Sequence, residues 1–140
     1  MQIENSSVVA HESLGAGGYR LLMLAAPGIA PQVRPGQFVH LRIPQLDGAV
    51  LRRPFSVFKA DRESLAILYK TVGRGTAAMQ ALAAGDRLSL MGPLGNGFPL
   101  ELKGAQPVLV AGGYGMAALY LLARDLPRKG AVFVGGATAS

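Results

Sequence analysis

The pattern of apolar and turn residues changes near residue 100, and this change constrains the fold more than any other feature of the sequence. Before it, short apolar stretches alternate with glycine, proline and polar turns, which is typical of antiparallel strands. After it, the apolar stretch 107–113 is followed by a helix-favouring stretch, 116–126, and by a second apolar stretch, 131–137. This order predicts a β-α-β unit whose two strands pair in parallel.

Six strands and one helix are predicted in the first hundred residues. The strands are 4–13, 18–26, 37–44, 53–60, 64–72 and 86–91. Residues 75–85 form the predicted helix, because Thr76 can cap its start and Gly85 can end it. Closing such a sheet removes its exposed edges. The sequence therefore predicts a mainly β fold, with a six-stranded antiparallel Greek-key barrel at 1–100 and the first β-α-β unit of a Rossmann-like domain at 101–140.

Composition excludes several kinds of site within this chain. There is no cysteine among the 140 residues, which excludes a disulfide scaffold and a cysteine-ligated iron–sulfur cluster. His11 and His40 are far apart in sequence, and each is more typical of a surface or strand histidine than of a metal ligand. No acid–base dyad and no nucleophile elbow are visible, so the sequence does not indicate hydrolytic chemistry.

The formal net charge of +6 is compatible with nucleic acid, an anionic cofactor or an acidic partner protein. The basic residues are scattered, apart from Arg52-Arg53 and the turn at 128–130, and no basic stripe is interleaved with aromatic residues. This distribution argues against nucleic-acid binding. The longest apolar run, 107–123, is too short and too rich in glycine to cross a membrane, and the N-terminus lacks a secretion signal. We therefore expect no membrane association and a cytoplasmic location.

The stretch LRRPFSVF, residues 51–58, combines two arginines, a proline and a β-forming segment. Proline cannot donate a ladder hydrogen bond, so Pro54 belongs on an edge strand, at a strand start or at a bulge. Strand alternation places Arg53 and Phe55 on one face and Pro54 and Ser56 on the other, whereas a bulge would disturb that order. Arginine forks suit phosphate or carboxylate. These eight residues alone favour an edge strand with two solvated arginines.

Three glycine-rich loops could contact a cofactor. In TVGRGT, 71–76, Gly75 and Thr76 lie at a predicted helix start, which suits a phosphate cradle and an ordinary helix cap equally well. GGYGMAA, 112–118, matches a dinucleotide-binding loop only loosely, and close packing of strand and helix explains its small residues equally well. GPLGNGF, 92–98, is predicted to be a hinge or the wall of a site between the two domains.

Taken together and in order, these motifs resemble the ferredoxin reductase-like flavoproteins. The segments PGQFVHLRIP, LRRPFSVF, LYKTVGRGT, GPLGNGFPL and VLVAGGYGMAALYLLA are most similar to the electron-transfer subunits of dihydroorotate dehydrogenase, over residues 1 to 135. The resemblance implies that the barrel binds FAD. For the full-length family it also implies an NAD(H)-binding domain, a [2Fe–2S] cluster and a catalytic dihydroorotate dehydrogenase partner subunit of pyrimidine biosynthesis.

The resemblance also implies roles for nine residues, including Pro54 as part of the arginine–proline–aromatic–serine strand. Arg53 would hold the FAD pyrophosphate, Phe55 would lie against the flavin and ribityl portion, and Ser56 would hydrogen-bond the flavin ring. The adenosine side would be lined by Leu68, Tyr69 and Lys70. Phosphate oxygens would be bound by Gly75 and Thr76.

Two departures from the family pattern qualify these expectations. Ala118 stands where the family commonly has proline, and the chain has neither the rest of a nucleotide domain nor cluster cysteines. We therefore expect a fragment or shortened member that binds FAD, that binds NAD(H) weakly or not at all, and that is inactive alone. The sequence leaves two alternative functions open. One is another NAD(P)H-linked flavin or ferredoxin reductase of the same fold, and the other is a non-catalytic basic β-barrel binding module.

Overall fold

The computed structural model describes residues 1–15, 17–44 and 51–136 of the chain. Nine strands and two α-helices form within these ranges, and short 3₁₀ turns at 30–32, 79–81 and 113–116 accompany them. The strands are β1 (Gln2–Leu14), β2 (Tyr19–Ala25), β3 (Phe38–Arg42), β4 (Arg53–Ser56), β5 (Lys59–Ala60), β6 (Ser64–Lys70), β7 (Arg87–Leu94), β8 (Val108–Gly112) and β9 (Ala131–Gly135). The helices are α1 (Arg74–Ala78) and α2 (Ala117–Asp125). The mainly β class predicted from the sequence is confirmed.

Strands β1 to β7 form one antiparallel sheet in the order β4-β3-β7-β1-β2-β6-β5. The two edge strands, β4 and β5, are consecutive in the chain and only Val57 and Phe58 separate them, so the sheet must curl until its ends meet. The Val57 N–H donates to the Gln37 carbonyl and the Phe58 N–H donates to the Ala66 carbonyl, which ties both ends of the sheet together. We call β1 to β7 the curled sheet.

The strand count differs from the prediction of six, because the predicted strand 53–60 is divided into β4 and β5. The division follows from the curl: the chain leaves one edge of the sheet at Ser56 and enters the other edge at Lys59. β4 pairs with β3 in regular register and without a bulge: Arg53 lies opposite Leu41 at one end, and Ser56 lies opposite Phe38 at the other. Pro54 therefore lies on an edge strand, one of the places where a sheet tolerates proline.

The predicted helix 75–85 is shorter in the structure and begins one residue earlier. α1 covers Arg74–Ala78 and is followed by a single 3₁₀ turn at Met79–Ala81. Met79 and Leu82 anchor this segment in the core, whereas Ala83 is exposed. Gly85 has a φ of +94° and serves the turn into β7, not the helix end.

The core lies inside the curled sheet. Its fully buried members include Leu22, Leu24, Val39, Leu41, Leu65, Ile67, Met79 and Leu90. β6 is buried along almost its whole length, which fits its unbroken apolar run LAILY at 65–69. Leu65, Ile67 and Tyr69 face this core, and the alternate residues Ala66 and Leu68 lie on the outer face of β6.

β8, α2 and β9 form the β-α-β unit, and its two strands pair in parallel as the sequence predicts. The outer face of β6 and this unit together line several cavities, so the unit lies against the curled sheet at β6. Leu121 of α2 is 1% exposed and belongs to the main core cluster. The predicted strand 131–137 ends at Gly135, and residue 137 lies outside the described residues. Within the described ranges, neither helix is long and apolar enough to cross a membrane.

Candidate cofactor-binding site

A cavity of about 240 Å³ lies where β4, β6 and the start of α1 meet the β-α-β unit. Its lining consists of Pro54, Phe55, Ser56, Leu68, Tyr69, Lys70, Val72, Thr76, Tyr114 and Ala117. Seven of the nine residues predicted from the sequence are in this lining, although they come from three separate segments of the chain. The remaining two, Arg53 and Gly75, are neighbours of each other at its margin.

Arg53 lies beside the first turn of α1. A β-carbon built on Gly75 would be 3.4 Å from Arg53 Nε and 3.5 Å from Ile43 Cδ1. The glycine and the guanidinium, which are 22 positions apart in sequence, are therefore in contact range. This arrangement places a permanent positive charge next to the first backbone N–H groups of a helix, which have no partner within the helix.

Arg52, the adjacent arginine, has a different environment. Its Nη1 donates to the Ser89 carbonyl at 2.9 Å and its Nη2 donates to the Ser89 hydroxyl at 2.8 Å. Both bonds tie the β4 end of the sheet to β7. The structure thus gives Arg52 a structural contact and leaves Arg53, the arginine that the resemblance singled out, at the cavity margin.

The hydroxyl of Thr76 organises the loop before α1. It accepts the N–H groups of Val72 and Gly73 at 3.0 and 3.1 Å, and it donates to the Gly73 carbonyl at 3.0 Å. Thr76 is the third residue of α1, not its cap, and Gly73 occupies the cap position. Because its only proton is used within the loop, Thr76 shapes the cavity wall but does not offer a free hydroxyl donor in this conformation.

Tyr69 contributes to the cavity wall while its ring points into the core, where the residue is 3% exposed. His11 Nδ1 lies 2.8 Å from the Leu82 carbonyl, which can only accept, so in neutral His11 the Nε2 atom accepts from the Tyr69 hydroxyl at 3.0 Å. Burial raises the pKa of Tyr69 to about 12, although the charge of Arg20 opposes this shift. The Tyr69 ring packs edge-on against the Phe55 ring, with 6.2 Å between the ring centroids, so it supports an aromatic residue of the cavity.

Besides Val72, two residues of the lining, Tyr114 and Ala117, were not singled out as site residues from the sequence. Both follow β8 in the glycine-rich loop GGYGMAA, whose match to a dinucleotide-binding loop is loose. Tyr114 is 52% exposed, and the sequence signal that could have identified it is an aromatic residue between two glycines directly after a strand. Their position shows that the cavity belongs to both parts of the chain.

The donor set of this cavity fits an FAD molecule better than a metal or a neutral metabolite. Arg53 and the backbone at Gly75 suit a pyrophosphate, the Ser56 hydroxyl suits a ring nitrogen or carbonyl, and Phe55 offers an apolar surface. A volume of about 240 Å³ is below the usual range for a whole ligand pocket, so the cavity would enclose only part of FAD. Among the described residues, no group of His, Asp and Glu side chains is arranged to hold a metal ion.

The curated sequences that match this chain include electron transfer subunits of dihydroorotate dehydrogenase B (NAD(+)). The chain is 37% identical over 131 residues to that of Geobacillus thermodenitrificans, which is 91% of this chain and 51% of the relative. For Desulforamulus reducens the identity is 44% over 103 residues, or 72% of this chain and 39% of the relative. The chain thus spans about half the length of the curated relatives it matches. No family model matches the chain.

Solved structures with the same fold include electron-transfer reductases. The NADH-dependent reduced ferredoxin-NADP oxidoreductase, studied for flavin-based electron bifurcation, superposes with a TM-score of 0.84 at 27% identity, over 96% of this chain and 49% of that chain. The Amycolatopsis cytochrome P450 reductase GcoB superposes with a TM-score of 0.78 at 28% identity, over 99% of this chain and 44% of that chain. These similarities confirm the resemblance to the ferredoxin reductase-like flavoproteins and, among them, to the dihydroorotate dehydrogenase electron-transfer subunits.

Proposed function

We propose that this chain binds FAD between the curled sheet and the β-α-β unit and is the flavin-holding part of a dihydroorotate dehydrogenase electron-transfer subunit. In that role it passes electrons between a nicotinamide cofactor and a catalytic dihydroorotate dehydrogenase subunit, in the cytoplasm, during pyrimidine biosynthesis. The observation that carries this proposal is the cavity itself, because three distant segments converge there in the arrangement that the resemblance implies. The relatives named above support the same assignment.

Seven of the nine predicted site residues have a role in this proposal that follows from their positions. The charge of Arg53 binds the pyrophosphate together with the backbone at Gly75, and Ser56 orients the flavin ring by a hydrogen bond. Phe55, supported by Tyr69, packs against the flavin and ribityl portion, while Leu68 and Lys70 line the adenosine side. The bound FAD would supply the electron-transfer chemistry, and the residues of this chain bind it, orient it and limit its contact with water.

The two-part organisation is also a proposal. Residues 1–100 would form the FAD-binding domain, and residues 101–140 would be the first part of a nucleotide-binding domain. A dinucleotide crosses the carboxyl ends of several parallel strands at a switch point, whereas the described residues provide two such strands. We therefore expect weak or absent NAD(H) binding and no NADH oxidation by this 140-residue chain above the rate of free flavin. NADH oxidation well above that rate would contradict this expectation.

A second assignment is favoured by the structural similarities, which are to ferredoxin and P450 reductases. In this alternative the same flavin site serves another NAD(P)H-linked reductase. Electron transfer to a catalytic dihydroorotate dehydrogenase subunit distinguishes the two, because only the first proposal requires that partner.

The decisive test of the flavin site is a titration of the purified apoprotein with FAD, followed by visible absorption and flavin fluorescence. We expect tight binding by the wild type and weaker binding of FMN, which lacks the adenosine. Arg53→Ala should weaken FAD binding by about 2 kcal/mol, as expected for a charge-assisted phosphate contact. Arg52→Ala is the matched control, because it removes the adjacent arginine whose hydrogen bonds go to Ser89. Equal FAD affinities of wild type and Arg53→Ala would contradict the assignment.

A further inference from the structure

The β-α-β unit is attached to the curled sheet at one side by a compact group that we call the aromatic clamp: Phe58, Lys59 and Tyr120. The rings of Phe58 and Tyr120 lie 4.5 Å apart between centroids, at 44°. Lys59 Nζ lies 5.1 Å from the Tyr120 centroid and 5.4 Å from that of Phe58, which adds a cation–π contact to each ring. Next to the clamp, Arg124 Nη1 donates to the Ala60 carbonyl at 3.0 Å.

On another side, the loop after β8 approaches Tyr19 of β2. A β-carbon on Gly113 would lie 3.2 Å from the Tyr19 hydroxyl oxygen, and Gly113 has a φ of +51°. Glycine at this position therefore allows both the turn and the close approach.

The described residues leave a cavity of about 400 Å³ beside these contacts. It is lined by Leu14, Tyr19, Leu21, Phe58, Leu68, Gly113, Met116, Val134, Gly135 and Gly136. A close-packed interface fixes two units through many small contacts, whereas a cavity at the interface removes such contacts. Apart from Leu121, which α2 buries in the main core, the position of the unit therefore depends on the clamp and on the Tyr19 contact.

α2 connects the aromatic clamp to the cofactor cavity. Tyr120 is three residues after Ala117, and Ala117 is 2% exposed at the cavity wall. The 3₁₀ turn Gly113–Met116, which carries Tyr114, runs directly into α2. A movement of α2 at Tyr120 would consequently also move Ala117 and Tyr114 at the cavity wall.

We propose that Tyr120 is a positioning residue of the flavin site. Through the aromatic clamp it holds Tyr114 against the cavity, where the Tyr114 ring covers bound FAD from the side of the β-α-β unit. This inference rests on the proposed function, because it requires that FAD occupies the cavity. It goes beyond that function by giving the second part of the chain a role in retaining the cofactor.

The test compares FAD affinity and FAD dissociation rate among variants of the full chain. Tyr120→Ala should weaken FAD binding about fivefold and accelerate dissociation, because it removes the ring pair and one cation–π contact. Tyr120→Phe keeps the ring and should bind within about twofold of wild type. Phe133→Ala is the matched control, because Phe133 lies in β9 and is 60% exposed. It does not belong to the aromatic clamp and does not line the cofactor cavity. Its FAD affinity should equal that of the wild type.

A double-mutant cycle distinguishes positioning from general support. Tyr114→Ala should also weaken FAD binding about fivefold. The FAD affinity of the double variant Tyr114→Ala/Tyr120→Ala should be about equal to that of whichever single variant binds FAD less tightly. Effects that multiply would show that Tyr120 does not act through Tyr114 and would overturn the proposal. If Tyr120→Ala does not fold, Phe58→Leu removes the same ring contact from the side of the sheet and takes its place in the cycle.

The outcomes separate this inference from the proposed function. A wild-type chain that does not bind FAD overturns both. A wild type that binds FAD, together with a folded Tyr120→Ala variant of unchanged affinity and dissociation rate, overturns the role of Tyr120 and leaves the flavin site intact.

Discussion

The curled sheet and the β-α-β unit are both built from short apolar strands, but they bury those strands very differently. In the curled sheet, Val39, Leu41 and Ile67 are at most 1% exposed. In the unit, Val108, Val110 and Phe133 are 60% to 71% exposed, because α2 covers only one face of a two-stranded sheet. The curled sheet is therefore stabilised by its own core, whereas the unit depends on Leu121, which enters that core, and on a small number of contacts with its neighbours.

The largest expected effect is a loss of stability, and it is tested by making the same substitution, valine to alanine, once in the curled sheet and once in the unit. Val39→Ala should lower the free energy of unfolding by about 2 kcal/mol, because it removes two fully buried methyl groups. Val110→Ala should change it by less than about 0.5 kcal/mol, since the side chain is 71% exposed. Urea unfolding followed by circular dichroism measures both values. Equal losses would show that the two regions are equally well packed.

A second prediction concerns the close approach of Gly75 to Arg53. Gly75→Ala places a β-carbon at ordinary contact distance and should be nearly neutral, whereas Gly75→Val adds methyl groups beside the guanidinium. We expect Gly75→Val to weaken FAD binding about tenfold, or roughly 1.4 kcal/mol, with a smaller loss of stability. Fluorescence titration and thermal unfolding of both variants check this. A Gly75→Val chain that unfolds outright would favour a purely structural role for the glycine.

Thr76 provides a third prediction, on the loop that the curled sheet presents to the cavity. Thr76→Val keeps the shape but removes a hydroxyl that makes three hydrogen bonds to the loop, which should cost about 1 kcal/mol of stability. Thr71→Val is the control, since the Thr71 hydroxyl accepts a single exposed bond from Gln80. Amide hydrogen exchange at residues 72 and 73 should accelerate in the first variant only. Unchanged exchange there would mean that the loop does not depend on Thr76.

The effect that is smallest at neutral pH is a dependence on pH that belongs to the buried region. The pKa of Tyr69 is raised in the folded state to about 12, so the unfolded chain loses this proton first as the pH rises. The contribution of Tyr69 is complete below about pH 10 and is lost between about pH 10 and pH 12. Wild-type stability should therefore fall more steeply in this range than that of Tyr69→Phe. Tyr114→Phe, in which the half-exposed ring of the unit is changed, is the control. Parallel curves for wild type and Tyr69→Phe would contradict the shift.

The positions of most strands along the chain and the β-α-β unit could be predicted from the sequence, because both depend on local patterns. Apolar alternation, glycine turns and the change of period near residue 100 depend only on neighbours in the chain. The family resemblance was likewise carried by short motifs, such as RPFS at 53–56 and GRGT at 73–76. The division of the predicted strand 53–60 was missed, since it follows from the curl of the whole sheet.

The roles within those motifs were decided by tertiary structure. The resemblance implied a phosphate role for Arg53 and none for Arg52, and the tertiary structure supplies the physical difference: Arg52 contacts Ser89, whereas Arg53 lies beside Gly75. Thr76 carries a hydroxyl suited to a cap or to a phosphate, and the neighbouring N–H groups determine which atoms it meets. Tyr114 reaches the cavity because the unit lies on β6, over 40 positions away in the chain. Local sequence determines which elements form, whereas contacts between distant residues, which arise only when the elements pack, determine what each side chain can bind.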